Sequence, residues 1–466
     1  MIYLILALGI AVRLTAAFCL QNFIWPDEVS QSLEQAHRLV FGYGMVPWEY
    51  VAGLRSYLVP FFLAAVLYPF KYFSGGGSLL YTGAVRAVLC LLSASLIVFA
   101  YQYAKTFGSR LAGLTAAFMV AFWYEYIYFA PKALGDLFAV YLILPGLFFA
   151  ERGLRDKRPR DLLLAGLLLA LGGMVRYQNL PLLLLPLAVS FWYGFKTADR
   201  PLLKYYIYPA LLVIGAAGVL DWLIWGDLFH SLFYSFDFYL VRGGATRVLS
   251  LPLDWYFRII WNLQGGLFPL LCGLALLALP RVKLLGTALL FYFIFHTGIA
   301  YKEYRYIFLC WPLLMIAAAL GAEMLLSKID RPRLRLAVLA AGLAGFAAFS
   351  LYSAVKFTWA DLGYDSNYLP KGVSAWTVIG PHIGAYRYLS TRPDIRGLWD
   401  TVDSWRWSPG YYYLHQNIAL YFTPDVLSAL CQGRPGDYLI SRRALRAGRS
   451  WEKVAQVADV SVYRVR

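Results

Sequence analysis

From residue 1 to about residue 355 the chain repeats one pattern, apolar stretches of some 20 residues separated by short basic connections. A helix that crosses a bilayer needs about 20 mostly apolar residues, so the repetition commits the chain to lipid. Hydrophobic residues make up 60% of the sequence and charged ones 15%, too apolar a balance for an ordinary soluble protein. Hydropathy and loop signals predict eleven membrane helices, near residues 1–22, 78–104, 110–129, 132–150, 162–179, 181–195, 203–226, 259–280, 284–300, 306–326 and 336–355. The apolar run Tyr57 to Phe73 is interrupted by Pro60 and Pro69 and reads as an interfacial or re-entrant helix. Met1 to Leu20 carries Arg13 in mid-stretch and lacks a small-residue cleavage site, which favours a retained first helix over a removed signal peptide.

The net charge of +16 is a question of topology before it is one of nucleic acid. With the N-terminus inside, the connections after helices two, four, six, eight and ten are cytoplasmic, and these are the basic ones. They carry Lys105 and Arg110, then Arg152, Arg155, Lys157, Arg158 and Arg160, then Lys196, Arg200 and Lys204. Arg281 and Lys283 follow, then Lys328, Arg331, Arg333 and Arg335. The assignment turns on the pair 162–179 and 181–195, hinged at Pro181, because a single helix there inverts everything downstream. The opposite, non-cytoplasmic face then holds a first loop of about residues 23–56, a second of about 227–258, a tight turn at Lys302 to Arg305, and the whole tail. The expected division is a transmembrane domain, 1–355, and a C-terminal domain, 356–466.

The tail has turn clusters at Trp407-Ser408-Pro409-Gly410 and Gly433-Arg434-Pro435-Gly436, with strand-like runs at Asp437 to Ile440 and Val460 to Val465. It reads as a small soluble α/β or α+β domain. Cys19, Cys90, Cys272 and Cys310 lie in apolar segments and only Cys431 in the tail, which rules out a disulfide framework within the tail.

Chemistry-bearing residues concentrate on the non-cytoplasmic side. The first loop reads Trp25-Pro26-Asp27-Glu28-Val29-Ser30-Gln31, then Glu34, His37, Phe41-Gly42-Tyr43-Gly44, Trp48-Glu49 and Arg55-Ser56. Pro26 starts a helix whose first turn holds Asp27 and Glu28 at the membrane surface. Helix capping alone does not account for acid, amide, imidazole and indole groups within three turns beside a bilayer; an acid there serves as a general base. In the turn Tyr301-Lys302-Glu303-Tyr304-Arg305-Tyr306, three charges between two apolar helices face water, headgroups or a ligand, and Lys302 and Arg305 suit an anionic phosphate. Arg176, with Tyr177, Gln178 and Asn179, ends a helix on that face, where it either snorkels or binds phosphate. Asp221, beside Trp222 and Trp225, is an interfacial anchor or a functional acid. Arg242-Gly243-Gly244 with Arg247 has the makings of a flexible anion clamp.

The five histidines never pair at ligand spacing, so no metal site is expected; phosphate-loop, dinucleotide and nucleophile-elbow motifs are also missing from the sequence. No cofactor and no nucleic-acid partner is expected.

The run Pro26-Asp27-Glu28, Gln31, Glu34-Gln35-Ala36-His37, Phe41-Gly42-Tyr43-Gly44, Trp48-Glu49, Arg55-Ser56 closely resembles the first luminal loop of the dolichyl-phosphate-mannose-dependent α-mannosyltransferases of GPI-anchor and N-glycan assembly. Lys302-Glu303-Tyr304-Arg305-Tyr306 is similar to that family's His-Lys-Glu-x-Arg-Phe motif, with Tyr301 in place of the histidine. Asp221 through Gly226, Asp254-Trp255-Tyr256, and Ser408-Pro409-Gly410-Tyr411 with His415 resemble further family segments. The resemblance implies a GT-C membrane fold and an inverting glycosyltransferase that moves a sugar, mannose first of all, from a polyprenyl-phosphate carrier to a glycan or glycolipid hydroxyl. It implies Asp27 as the base with Glu28 as the alternative, and Lys302 and Arg305 on the donor phosphate. His37, Trp48, Glu49, Arg55, Arg176, Asp221, Glu303, Tyr306 and His415 complete the expected substrate-binding set.

The short loops look bacterial, which implies an undecaprenyl-like lipid and a periplasmic active face. Membrane lipids are the remaining expected partner. The rival readings are transfer of another sugar, such as an aminopentose, to lipid A or protein, and a non-enzymatic lipid or glycan transporter. A transporter more often shows an inverted repeat, and the sequence has no such symmetry.

Overall fold

The structure, a computed structural model, describes residues 1–72, 77–363, 372–445 and 451–465. Six helices there are long and apolar enough to cross a membrane, beginning with Ile2–Cys19, Leu79–Phe107 and Gly135–Asp156. Ala198–Trp225, Tyr304–Leu326 and Pro332–Lys356 complete them. A seventh is counted if Trp255–Gln264 and Leu267–Ala278, bent by 106°, form one span. The other expected spans are helical but shorter or broken: Arg110–Phe122, Pro159–Val175 and Lys283–Gly298 have 13, 17 and 16 residues. Leu58–Leu67 is a short apolar helix, as the interrupted run 57–73 suggested, although Phe73 lies outside the described residues.

The expected spans were uniform; the observed breaks have local causes. At Trp123 the backbone turns extended, and Ser350 spans the gap by donating to the Phe122 carbonyl (2.7 Å) and accepting from the Tyr124 amide (2.8 Å). The carbonyls of Val120 and Ala121 lose their helical partners there and accept instead from Arg13, at 3.0 and 2.8 Å. The arginine in the middle of the first apolar stretch is thus a buried helix cap.

The segment hinged at Pro181 keeps the expected parity. Tyr177–Leu184 is a 3-10 helix, followed by the α-helix Leu185–Ser190 and a 3-10 turn Phe191–Tyr193. At about 2.0 Å rise per 3-10 residue and 1.5 Å per α residue, the run extends roughly 30 Å, the thickness of a hydrocarbon core. Its ends lie at opposite ends of Gly135–Asp156: Arg176 binds Asp136, while the Tyr193 hydroxyl donates to Glu151 and the Trp192 carbonyl accepts from Lys283. Arg176 and the turn around Arg305 therefore share an end with the first loop.

The C-terminal sheet has five strands: β1 Gly397–Asp400, β2 Ala419–Phe422, β3 Asp437–Ser441, β4 Trp451–Val457 and β5 Val460–Val465. Their order is β2-β1-β3-β5-β4, parallel across β2, β1 and β3 and antiparallel through β5 and β4. The strand-like runs at 437 and 460 fall in β3 and β5.

A buried carboxylate is among the groups that fasten the tail to the first loop. Glu34 accepts from the amides of Met45 (2.8 Å), Tyr411 (3.2 Å) and Tyr412 (2.9 Å). Burial pushes its pKa up to about 7 against those hydrogen bonds. Beside it, His37 Nε2 and His415 Nδ1 are 3.1 Å apart, and burial, with His415 adding to it, lowers the His37 pKa to about 3.

Gly410, at φ +66°, leaves no room here, since a methyl group would lie 2.5 Å from Glu34 Oε2. Gly410→Ala should therefore loosen the docking by about 1–2 kcal/mol from the backbone alone, read as faster proteolytic release of the tail and a lower melting temperature. Unchanged proteolysis and melting would contradict this close approach. Glu34 has a folded pKa above its unfolded one, so its contribution is complete below pH 4.5 and lost as pH rises through about 7. Glu34→Gln should reduce the fall in melting temperature between pH 5 and 8; an identical fall would exclude Glu34 as a source.

Candidate active site

The first loop begins on an aromatic anchor. Trp25 is buried, stacked on Phe129 at 5.4 Å and edge-on to Phe308 at 6.3 Å, which fixes the chain just before Pro26. A helix starts there as the sequence predicts, but Glu28–Leu33 is wound as a π-helix before Glu34–Phe41 continues as α. Neighbouring residues on a helix point about 100° apart, and the two candidate acids diverge accordingly.

Asp27 points into a cavity of about 600 Å³ and accepts from Arg305 Nη2 at 2.5 Å, across 278 residues of sequence. Glu28 is 3% exposed and lies 3.8 Å from Lys132 Nζ, away from that cavity. Their electrostatics differ in the same sense. Burial works against ionising Asp27, but Arg305, Arg55 and Arg176 hold its pKa below the usual carboxylate value. Burial raises the Glu28 pKa despite Lys132 and Arg86.

Arg305 belongs to the 3-10 turn Tyr304–Ile307, which leads into Cys310–Leu326. It is 3% exposed, with Nε 2.8 Å from Glu303 Oε2 and 3.5 Å from Asp136 Oδ2. Its guanidinium lies 5.4 Å from the Trp25 ring and 5.7 Å from that of Tyr306. Asp136 also takes Arg176 Nη2 at 2.5 Å, so one carboxylate ties two arginines from different helices. Tyr301 and Tyr306 donate to Glu303 Oε1 at 2.6 and 3.3 Å.

Trp48, Glu49 and Arg55 line the same cavity as Asp27, Glu303, Arg305 and Tyr306. Glu49 accepts from Gln31 at 3.0 Å, and burial together with the Asp27 charge raises its pKa. Arg55 donates to the Tyr239 hydroxyl at 2.9 Å. Arg55 Nε and Arg305 Nη1 are buried donors without a hydrogen-bond partner.

Other expected site residues sit elsewhere. Lys302 is 1% exposed and gives its ammonium to the carbonyls of Leu251 and Ile299, outside the cavity lining. Asp221 accepts from the Ser231 amide (2.9 Å) and hydroxyl (2.6 Å), at the start of the helix His230–Phe236. His37 and His415 belong to the tail contact. Arg176 lines a smaller neighbouring pocket that shares Arg55 and Gln31 with the main one.

Sequence reasoning missed Asp136, whose signal was an acid in the first turn of an apolar span on the site's own face. It also missed Trp405 and Arg406, which line the cavity from the C-terminal region and have no motif to announce them. No group of three or more His, Cys, Asp or Glu placed to hold a metal occurs among the described residues.

The fold has solved counterparts. ArnT from Cupriavidus metallidurans, bound to undecaprenyl phosphate, superposes with a TM-score of 0.64 over 99% of this chain and 97% of that one, at 12% identity. Among curated proteins, human GPI alpha-1,2-mannosyltransferase 3 is 26% identical over 336 residues, 68% of this chain and 56% of that protein. GPI mannosyltransferase 3 of Yarrowia lipolytica is 24% identical over 425 residues, 90% of this chain and 76% of that one. The chain thus spans little more than half the length of the human relative. Residues 3–358 match the model of the Alg9-like mannosyltransferase family, with the GT-C architecture that the first-loop residues implied, and the chain belongs to that family.

Proposed function

We propose that the protein is an inverting glycosyltransferase that moves a sugar, mannose by its family, from a polyprenyl-phosphate carrier to a hydroxyl of a lipid-linked glycan. One observation carries the reading: Asp27 and Arg305, 278 residues apart, meet at 2.5 Å in one cavity beside two buried arginine donors that lack partners. In the reaction the acceptor oxygen bonds to the anomeric carbon as the carbon–oxygen bond to phosphate breaks. Asp27 takes the acceptor proton, and the carrier leaves as polyprenyl phosphate, which needs no proton of its own. Arg305 Nη1 and Arg55 Nε supply the hydrogen bonds that stabilise charge growing on the leaving phosphate. Phosphate bound to Arg305 competes with Asp27 for that guanidinium, which frees the carboxylate once the donor is in place. Asp136, with Arg176, holds Arg305 in position.

The region 1–355 carries the chemistry and 356–466 covers it. The positive-inside pattern favours a non-cytoplasmic active face, and the short loops favour a bacterial inner membrane with an undecaprenyl-like donor. Family membership favours mannose over an aminopentose, and the ion-paired site favours transfer over transport.

Purified protein given labelled polyprenyl-phosphate mannose and a membrane lipid extract should yield labelled glycolipid. Asp27→Asn should lower kcat by about 10³-fold with donor KM nearly unchanged; near-normal transfer by that variant excludes Asp27 as the base. Arg305→Gln removes the largest force holding the Asp27 pKa down, so the acid limb of the pH–rate profile should move toward neutral pH. An acid limb that stays in place would separate Asp27 from that limb.

A further inference from the structure

A second charged cavity lies at the end of the bundle opposite Asp27. The helix Cys310–Leu326 starts just after Arg305, and its 17 residues carry the chain to a cavity of about 480 Å³. At 1.5 Å rise per residue the two sites are about 25 Å apart along that helix. Three apolar spans meet at this cavity: Leu79–Phe107 and Tyr304–Leu326 end there, and Pro332–Lys356 begins there. The ends of membrane spans lie at the depth of lipid headgroups. Leu111, Ala112, Ala319 and Leu339, further along the adjoining helices, supply apolar walls.

One wall stands free of the bundle. The buried residues of Pro332–Lys356 are Phe346 and Ser350, both in its second half. Its first half exposes Leu334, Leu336 and Val338 and stands off its neighbours with the cavity between.

Three charges share this space without pairing. Glu323 lies against Gly108, where an added methyl group would be 2.5 Å from Glu323 Oε2. Arg335 donates from Nη2 to the carbonyls of Ser327 (3.3 Å) and Ile329 (2.9 Å), while its buried Nε has no hydrogen-bond partner. Arg281 is exposed and completes the set. Among the described residues, neither arginine is ion-paired with a carboxylate and Glu323 is ion-paired with no cation. The helix Arg110–Phe122 also starts at the cavity and brings the positive end of its dipole to it. Charges away from bulk water are costly without partners, and a ligand carrying both signs removes that cost for all three at once.

An anion suits the two guanidiniums and the helix start, a primary ammonium suits the carboxylate, and acyl chains suit the apolar walls. A phospholipid with an amino headgroup carries all three. We infer that this cavity binds an aminophospholipid, with its phosphate on Arg281 and Arg335 and its ammonium on Glu323. Such a lipid tethers the free half of a helix whose second half supplies Ser350 to the break at Trp123. The site is independent of the transfer reading, which uses the other end of the bundle.

The test is equilibrium binding to the purified full-length protein of dioctanoyl phosphatidylethanolamine, phosphatidylcholine and phosphatidylglycerol, with soluble phosphoethanolamine as a fourth probe. Phosphatidylethanolamine should bind about tenfold more tightly than the other two lipids. A trimethylated choline has no N–H to donate to Glu323, and a glycerol headgroup brings no positive charge to it. Glu323→Gln should abolish the preference, and Arg281→Gln should weaken all three lipids about fivefold. Phosphoethanolamine, without acyl chains, should bind about a hundredfold more weakly than the lipid. Equal affinities of the three lipids for the unaltered protein, a preference that survives Glu323→Gln, or lipid binding unmoved by Arg281→Gln overturns the inference. Phosphoethanolamine binding as tightly as the dioctanoyl lipid also overturns it, by assigning the cavity to a soluble ligand.

Discussion

Burying an arginine beside a membrane is the constraint around which the site is built. The Arg305 guanidinium lies among Asp27, Glu303 and Asp136, each from a different part of the chain or a different turn of it. Removing one partner of such a buried pair costs about 3–5 kcal/mol, because the other charge is left desolvated and uncompensated. The first loop, the start of Gly135–Asp156 and the turn before Cys310–Leu326 are therefore held to one another by charge as well as by packing. Arg176 extends the arrangement to the end of Pro159–Val175 through its bond to Asp136.

Irregular backbone surrounds this cluster, and side chains satisfy what the irregularity exposes. Arg13 caps the helix that stops at Phe122, and Ser350 bridges the break that follows. Lys302 does comparable work for the carbonyls of Leu251 and Ile299, near the second loop. At the far end of the bundle, Glu151 accepts from the Leu284 and Leu285 amides at 2.9 and 3.1 Å, capping the helix Lys283–Gly298. Non-helical backbone at membrane depth survives only where such partners exist. Several ionisable residues that look functional in an apolar sequence are thus structural, and they leave the cavity to the few that are not.

This explains what the sequence made legible. Hydropathy located the apolar segments, and positive-inside parity brought Asp27, Arg176 and Arg305 to one face, because charge bias in short connections is a local property. Strand patterns at 437 and 460 were local too. The breaks were not: a kink at Trp123 depends on Ser350, which lies 227 residues later, and a 3-10 segment at Pro181 looks like any other apolar run. Within the site, motif-borne residues such as Asp27, Glu49 and Arg305 were found, whereas Asp136 needed its partners to be visible. Asp27 and Glu28 are adjacent and chemically alike, and only the helix geometry separates them. Lys302 and Asp221 carried the same charge signals as true cavity residues, and nothing in their neighbours' identities disclosed that their bonds go to backbone or to Ser231.

The central claim is that Asp27 and Arg305 act as one unit, and a double-mutant cycle on turnover tests it most directly. With labelled polyprenyl-phosphate mannose as donor, the Asp27→Asn/Arg305→Gln double variant should be no slower than the slower of the two single variants. Losses that multiply, so that the double variant falls far below either single one, would contradict the account.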